Sequence, residues 1–385
     1  MRFRFADKKN KKETKAREAV LRRIDAWWKA FAKDARRIDA HFSEGKPFDV
    51  PKFMERNLER INERLMWEFG PPLKKGRHRL VITLEGDQSL RPLLDQVLAR
   101  APRNTGFEFY PYRPAVSLEV ATSMVRGRTG ASLEGWSVQI APKEDFGVDL
   151  AFKAPLAAVK EEQARYVGIV AAECLLGGEV FDTWVDAVDV EAEVKGKTVP
   201  LARLAKEVEA TLKRLRAELP AKGIVKSRTA RNGAVYEVEP TQREDYPRQT
   251  DIAVGATTNL PVMQRALTDR SFSSQRFSRA GETFCYLKID GINGLDPRGF
   301  EDRGDIEDAL DAALLKPKLG ITFGGATGLR YSYVELALRD VERAVPIIKK
   351  VLRSGHIPKR TWLLFHDSSF HAEWVGIWDD TPAPP

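Results

Sequence analysis

Two imidazoles and two carboxylates fall within a short stretch near the C-terminus: His366, Asp367, His371 and Glu373. These are donor types that hold a divalent ion, and a bound ion could activate water for hydrolysis. On extended chain, side chains alternate faces, so His371 and Glu373 share one face while His366 and Asp367 point oppositely. The competing reading is a set of polar residues at a strand turn. Gly324-Gly325-Ala326-Thr327-Gly328 has the glycine content of a phosphate cradle, but a strand rather than a helix follows it and no Lys-Ser/Thr pair closes it. A tight hairpin turn with positive φ accounts for the run. No GxSxG motif occurs, neither cysteine stands in a nucleophile setting, and His41, His78 and His356 are isolated.

Two charged stretches suit partners rather than reactions. Asp296, Glu301, Asp302, Asp305, Glu307, Asp308 and Asp311 gather at the entry to a helical pattern. Carboxylates there complement the helix dipole, and Asp302, Asp305 and Asp308 also offer an acidic face to a basic partner. Arg265, Arg270, Phe272, Arg276, Phe277 and Arg279 interleave cations with aromatics, a pattern suited to single-stranded nucleic acid, with Arg270 and Arg276 as the candidate contacts.

The elements that must carry these residues follow from periodicity. Residues 284–290 read as a strand, 305–315 as a helix, 319–338 as two strands joined by the glycine turn, 340–352 as a helix, and 361–367 and 371–379 as closing strands. That is the βαββαβ order of a ferredoxin-like domain with an antiparallel sheet. The same order recurs from Phe107 through the strand expected at 180–190, with an additional strand (79–84) and helix (90–101) in front. Between the copies lie a helix over 201–219, a hairpin turning at Asn232-Gly233, and a weakly patterned stretch over 239–282. The expectation is an α+β protein: basic tail and helical hairpin (1–72), first ferredoxin-like domain (73–195), linker (196–282) and second ferredoxin-like domain (283–380).

Residues 1–23 hold ten Lys/Arg against three carboxylates, nearly all of the chain's formal charge of +8. Such a head reads as a solvated tail, with docking on nucleic acid or anionic lipid as the alternative. Behind it, Val20, Ile24, Trp27, Phe31, Ala35, Ile38 and Phe42 form one helical stripe. Because Trp27 and Trp28 are adjacent, one of them is expected at the stripe's edge, where it could anchor a partner. Cys174 and Cys285 sit in apolar runs and read as buried thiols, which fits a cytoplasmic location. The basic head lacks a following apolar segment, and Tyr166–Phe181 is too polar to span a bilayer, so no membrane association is expected.

Residues 67–114, WEFGPPLKKGRHRLVITLEGDQSLRPLLDQVLARAPRNTGFEFYPYRP, together with GGATGLRYSYVELAL, resemble uncharacterised bacterial proteins built from ferredoxin-like domains, some of them thought to be immunity proteins encoded beside secreted toxins. The resemblance implies a fold and a partner, a toxin, and no catalytic residue. The sequence therefore points to a non-enzymatic protein-binding module without a cofactor. The alternatives are a metal-dependent hydrolase on the His366 cluster and an RNA-associated regulator.

Overall fold

The computed structural model of the protein describes every residue except 8, 75, 104, 156–160, 228–232, 269 and 292–298, and only the backbone of 161 and 162. Asp296 of the acidic run and Asn232 of the expected hairpin turn lie outside the described residues. The chain opens with α1 (Lys11–Glu44), α2 (Val50–Asn57), β1 (Met66–Gly70), β2 (His78–Thr83), α3 (Arg91–Ala99) and β3 (Phe107–Tyr110). It continues with α4 (Leu118–Thr129), β4 (Ser137–Pro142), β5 (Val148–Lys153), α5 (Glu161–Leu176), α6 (Gly178–Trp184), β6 (Val185–Glu191), β7 (Val199–Pro200) and α7 (Leu204–Ala217). The remainder is α8 (Ile224–Ser227), β8 (Ala234–Glu237), β9 (Ile252–Thr257), α9 (Leu260–Ala266), β10 (Thr283–Asp290), α10 (Arg303–Leu315), β11 (Gly320–Gly328), β12 (Tyr331–Leu338), α11 (Val341–Ser354), β13 (Thr361–Phe365) and β14 (Val375–Gly376). The class is α+β, with three sheets. No helix among the described residues is long and apolar enough to cross a membrane.

Asn10 caps α1 by accepting the Glu13 N–H at 3.0 Å, and Gly45 ends it at a φ of 68°, a left-handed conformation that glycine adopts without a Cβ clash. The helix is about 50 Å long by its rise per residue. Its apolar stripe buries Val20, Ile24, Phe31, Ala35 and Ile38, as the spacing predicts, whereas Phe42 at its end is 41% exposed. Both tryptophans are buried, at 1% and 4% exposure, which corrects the expectation of an exposed anchor. The reason is that α1 is covered on two sides. Trp27 packs on Phe53 of α2, while Trp28 meets Phe109 of β3 and donates its indole N–H to Val97 O at 2.6 Å. Each indole removes roughly 200 Å² of surface from water, about 5 kcal/mol of gross transfer free energy.

The first half does not form a single four-stranded antiparallel sheet. β3 pairs in parallel with β2 in a three-stranded sheet of order β1-β2-β3. β4 and β5 belong to a second sheet, β6-β5-β4-β7, in which β5 and β6 are parallel. The aromatic content of β3 decides its partner: Phe107 and Phe109 close on Phe31 and Trp28, so the strand joins the N-terminal core. The strand expected from Val180 starts only at Val185, because Gly178–Trp184 is helical.

The C-terminal half carries a seven-stranded sheet of order β14-β13-β10-β12-β11-β9-β8, antiparallel at every pair. α10 and α11 cover one face over Cys285, Leu287, Val334, Leu336 and Leu363. The other face holds Tyr286, Tyr331, Tyr333 and Trp362 beneath the segment that contains Tyr246. The weakly patterned stretch thus supplies a strand, a helix and a lid. Ile224–Ser227 is helical rather than extended, and among the described residues β8 pairs with β11's neighbour β9.

The glycines at 324, 325 and 328 lie inside β11, and the turn is at Leu329-Arg330. Close approach, not turn geometry, selects them: a Cβ at Gly325 would meet Glu307 Oε1 at 2.6 Å and Arg303 Nε at 2.7 Å. The segment 371–379 contributes only the short β14, after a 3-10 turn at Ser368–Phe370. The basic head is no solvated tail either. Arg2 is 3% exposed, bonded to Glu13 and stacked 3.6 Å above the Trp374 ring. The closing TPAPP is likewise held, Trp362 donating its indole N–H to Pro382 O at 2.6 Å.

Candidate functional site

The metal candidates are not brought together. Glu373, 2% exposed, accepts the backbone N–H groups of Phe3, Arg4 and Phe5 at 2.6, 3.1 and 2.8 Å. Asp367 accepts the Ser274 N–H at 2.7 Å and the Ser274 hydroxyl at 2.5 Å, and burial pushes its carboxyl up. His366 Nε2 lies 2.7 Å from Glu335 Oε2, and the exposed His371 ring reaches only the His366 carbonyl at 3.4 Å. Among the described residues no three of His, Cys, Asp and Glu are grouped to hold a metal ion. The physical cause is the 3-10 turn between the two histidines, which sends Glu373 toward the N-terminal segment and leaves His366 on the sheet.

His366 and Glu335 belong to a polar layer under the lid. Gln249 donates to the other Glu335 oxygen at 2.5 Å, Tyr333 donates its hydroxyl to Asp251, and Lys288 donates to Tyr246 O while lying 3.9 Å above the Tyr331 ring. Tyr331 donates to Asp245 at 2.5 Å, and Arg360 bonds both. A His–Glu dyad is general-base chemistry when substrate can reach it. Here the pair is 1% and 0% exposed, with the imidazole between the Phe272 and Tyr286 rings. Burial lowers Lys288 to about 8. Every named group has a partner inside the layer, so the arrangement rigidifies the sheet and its lid.

The arginine-aromatic stretch is also committed internally. Asp186 accepts from Arg265 and Arg276, each at 2.8 Å, and Arg265 also bonds Asp145 at 3.0 Å. Burial works to raise the Asp186 carboxyl, but the Arg276 and Arg265 guanidiniums outweigh it and hold the group below its usual range. Arg276 is 0% exposed, so it cannot serve as a partner contact; Arg270 is exposed.

Asp302, Asp305 and Asp308 are exposed on the outer side of α10. Asp302 caps the helix by accepting the Asp305 N–H, and Asp305 accepts the Glu301 N–H. Arg303 is bonded to Glu307 at 3.0 Å and is the one cation within the helix. Burial first, with the nearby Asp311 and Asp308 charges adding to it, holds Glu307 above the usual carboxylate range although Arg303 opposes the shift.

Beside this helix the sheet is uncovered. Val235 on β8 stands opposite Ala256 on β9, and Glu237 opposite Val254. Val235 is 74% and Val254 41% exposed. Ala256 in turn stands opposite Gly325, the glycine over which Arg303 and Glu307 lie, so the strip begins where α10 ends its cover. β8 is the terminal strand of the sheet, and no described residue pairs with its outer edge. Sequence reading found the acidic residues by their charge. It missed the strip, because Val235 and Val254 become neighbours only through the β8–β9 pairing.

No family model matches the chain, and no curated protein or solved structure shows significant similarity to it.

Proposed function

We propose that the chain is a protein-binding module that holds a basic partner through the terminal strand of its large sheet, on a C-terminal unit of ferredoxin-like plan. The carrying observation is the free edge of β8 with the exposed Val235 and Val254 beside it, a strip that adjoins the Arg303–Glu307 side of α10, the helix whose outer side exposes Asp302, Asp305 and Asp308. An extended segment adding to β8 would gain main-chain hydrogen bonds, bury the valines and meet Asp305 and Asp308 with its own cations. The resemblance to toxin-immunity proteins supports the same reading, with a secreted toxin as the partner neutralised in the cytoplasm.

The test is affinity capture from the source cell with the wild-type chain and two variants, Val235→Asp and Asp305→Lys/Asp308→Lys. A stoichiometric basic protein retained by the wild type and lost from both variants is the expected result. Recovery of the chain alone, or equal retention by all three, removes the proposal.

One observation favours a second reading, an RNA-associated regulator. α1 exposes Lys11, Lys12, Lys15, Arg22, Arg23, Lys29, Lys33, Arg36 and Arg37 along one side. A row of cations of that length suits a phosphate backbone, and its signature is a steep fall of affinity with salt. RNA binding that is undetectable at low salt excludes it.

A further inference from the structure

A cleft of about 510 Å³ opens where the three parts of the chain meet, between the start of α3, the α6–α7 region and the loops around Ser273 and Ser369. Four arginines reach its walls from four separate segments: Arg4, Arg91, Arg216 and Arg279. None of them forms an ion pair among the described residues. The Arg91 guanidinium is stacked 4.1 Å above the Tyr112 ring, with only long contacts of 3.5 Å to Pro111 O and Gln88 Oε1, and its buried Nε has no partner. Arg216 lies over Trp184 and also has an unpartnered buried Nε. Arg4 is exposed and rests on the Phe370 ring, and Arg279 is exposed.

The carboxylates at the cleft are engaged with the protein itself. Glu282 accepts the backbone N–H groups of Ile224 and Val225 and the Ser278 hydroxyl; Asp367 accepts from Ser274; Asp182 accepts the Gln88 amide at 2.7 Å. The charge left facing the space is cationic, and Ser273 and Ser369 add hydroxyls to its lining. Guanidiniums supplied by four separate segments offer more donors than the single plane of one carboxylate can accept. They match a group whose oxygens point several ways at once. The volume lies in the range of small-molecule sites.

We propose that this cleft is a binding site for a phosphate-bearing small molecule, gripped by Arg4, Arg91, Arg216 and Arg279. The ligand contacts all three parts of the chain, so its binding holds them together.

Titration calorimetry of the full chain with inorganic pyrophosphate at about 50 mM salt tests this, read beside the melting temperature. Arg4→Glu and Arg279→Glu are the variants, because both side chains are exposed and neither forms an ion pair among the described residues; Arg36→Glu on the outer side of α1 is the control. The expected result is binding that weakens about tenfold or more in each cleft variant, is unchanged in the control, and raises the melting temperature only where it persists. No binding at about 1 mM pyrophosphate, equal binding by the cleft variants, or citrate binding as tightly as pyrophosphate would each overturn the assignment.

Discussion

Glu373 receives three backbone N–H groups with its two carboxylate oxygens and so fixes the first residues of the chain against the C-terminal sheet, where Phe5 stacks on Phe365 at 4.7 Å. Replacing it by alanine leaves those donors without an acceptor, at a cost of about 2–4 kcal/mol to the docking of that segment. The expected outcome for Glu373→Ala is rapid amide exchange and tryptic cleavage at Arg2 and Arg4 while the sheet stays protected. Asp186 is a second such residue. Asp186→Ala leaves the buried Arg276 without a carboxylate and takes one of two from Arg265, and should cost about 3–5 kcal/mol in a urea titration. Lys288 gives a pH signature. Its folded value of about 8 lies below its ordinary 10.5, so between those values the unfolded chain binds more protons and stability rises with pH. The gain is absent below about pH 8, complete above about pH 10.5, and about 3 kcal/mol at most. Above pH 10, tyrosine ionisation opposes it, since burial and the Asp245 contact push Tyr331 up to about 12 in the folded chain. Lys288→Met should therefore abolish the rise between pH 7.5 and 9.5, as measured by denaturant midpoints.

At the scale of elements, Gly325 leaves room for the Arg303–Glu307 pair of α10 to lie against the sheet beside the strip. Gly325→Val should push that pair off the sheet and lower stability by about 1–3 kcal/mol, the usual cost of overpacking, in a thermal melt. How much of this was legible differs from element to element. The stripe of α1 could be read because its buried residues repeat at three and four positions. The order of elements from β10 to β13 could be read because strands and helices there alternate cleanly. β3 could be recognised as a strand but not placed, since its aromatics say that it is half-buried and not which sheet receives it. The stretch over 239–282 carries no period because its contacts are polar and distant in sequence, such as Asp251 with Tyr333 and Gln249 with Glu335. The charges of the acidic face were visible; the apolar strip that gives them a location was not. Likewise Arg91 and Arg216 sit in unrelated stretches, and only the packed chain brings them to one cleft.

At the scale of the molecule, the three parts are tied by buried or partly buried ions. Arg113 bonds Glu68, Glu85 and Glu173 at 3.0, 2.7 and 2.7 Å, and so joins β1, the turn after β2, and α5. The Asp186 cluster joins the middle part to the loop before β10. Meanwhile the opening residues reach the last turns of the chain, Arg2 donating to Trp374 O at 3.0 Å and Lys9 bonding Asp379 at 2.5 Å. During synthesis residues 2–9 therefore wait for residues 374–379 before this buckle can fasten. Because residues 2–9 and 374–379 lie side by side, a short linker should be able to join these two segments and let the chain be opened elsewhere.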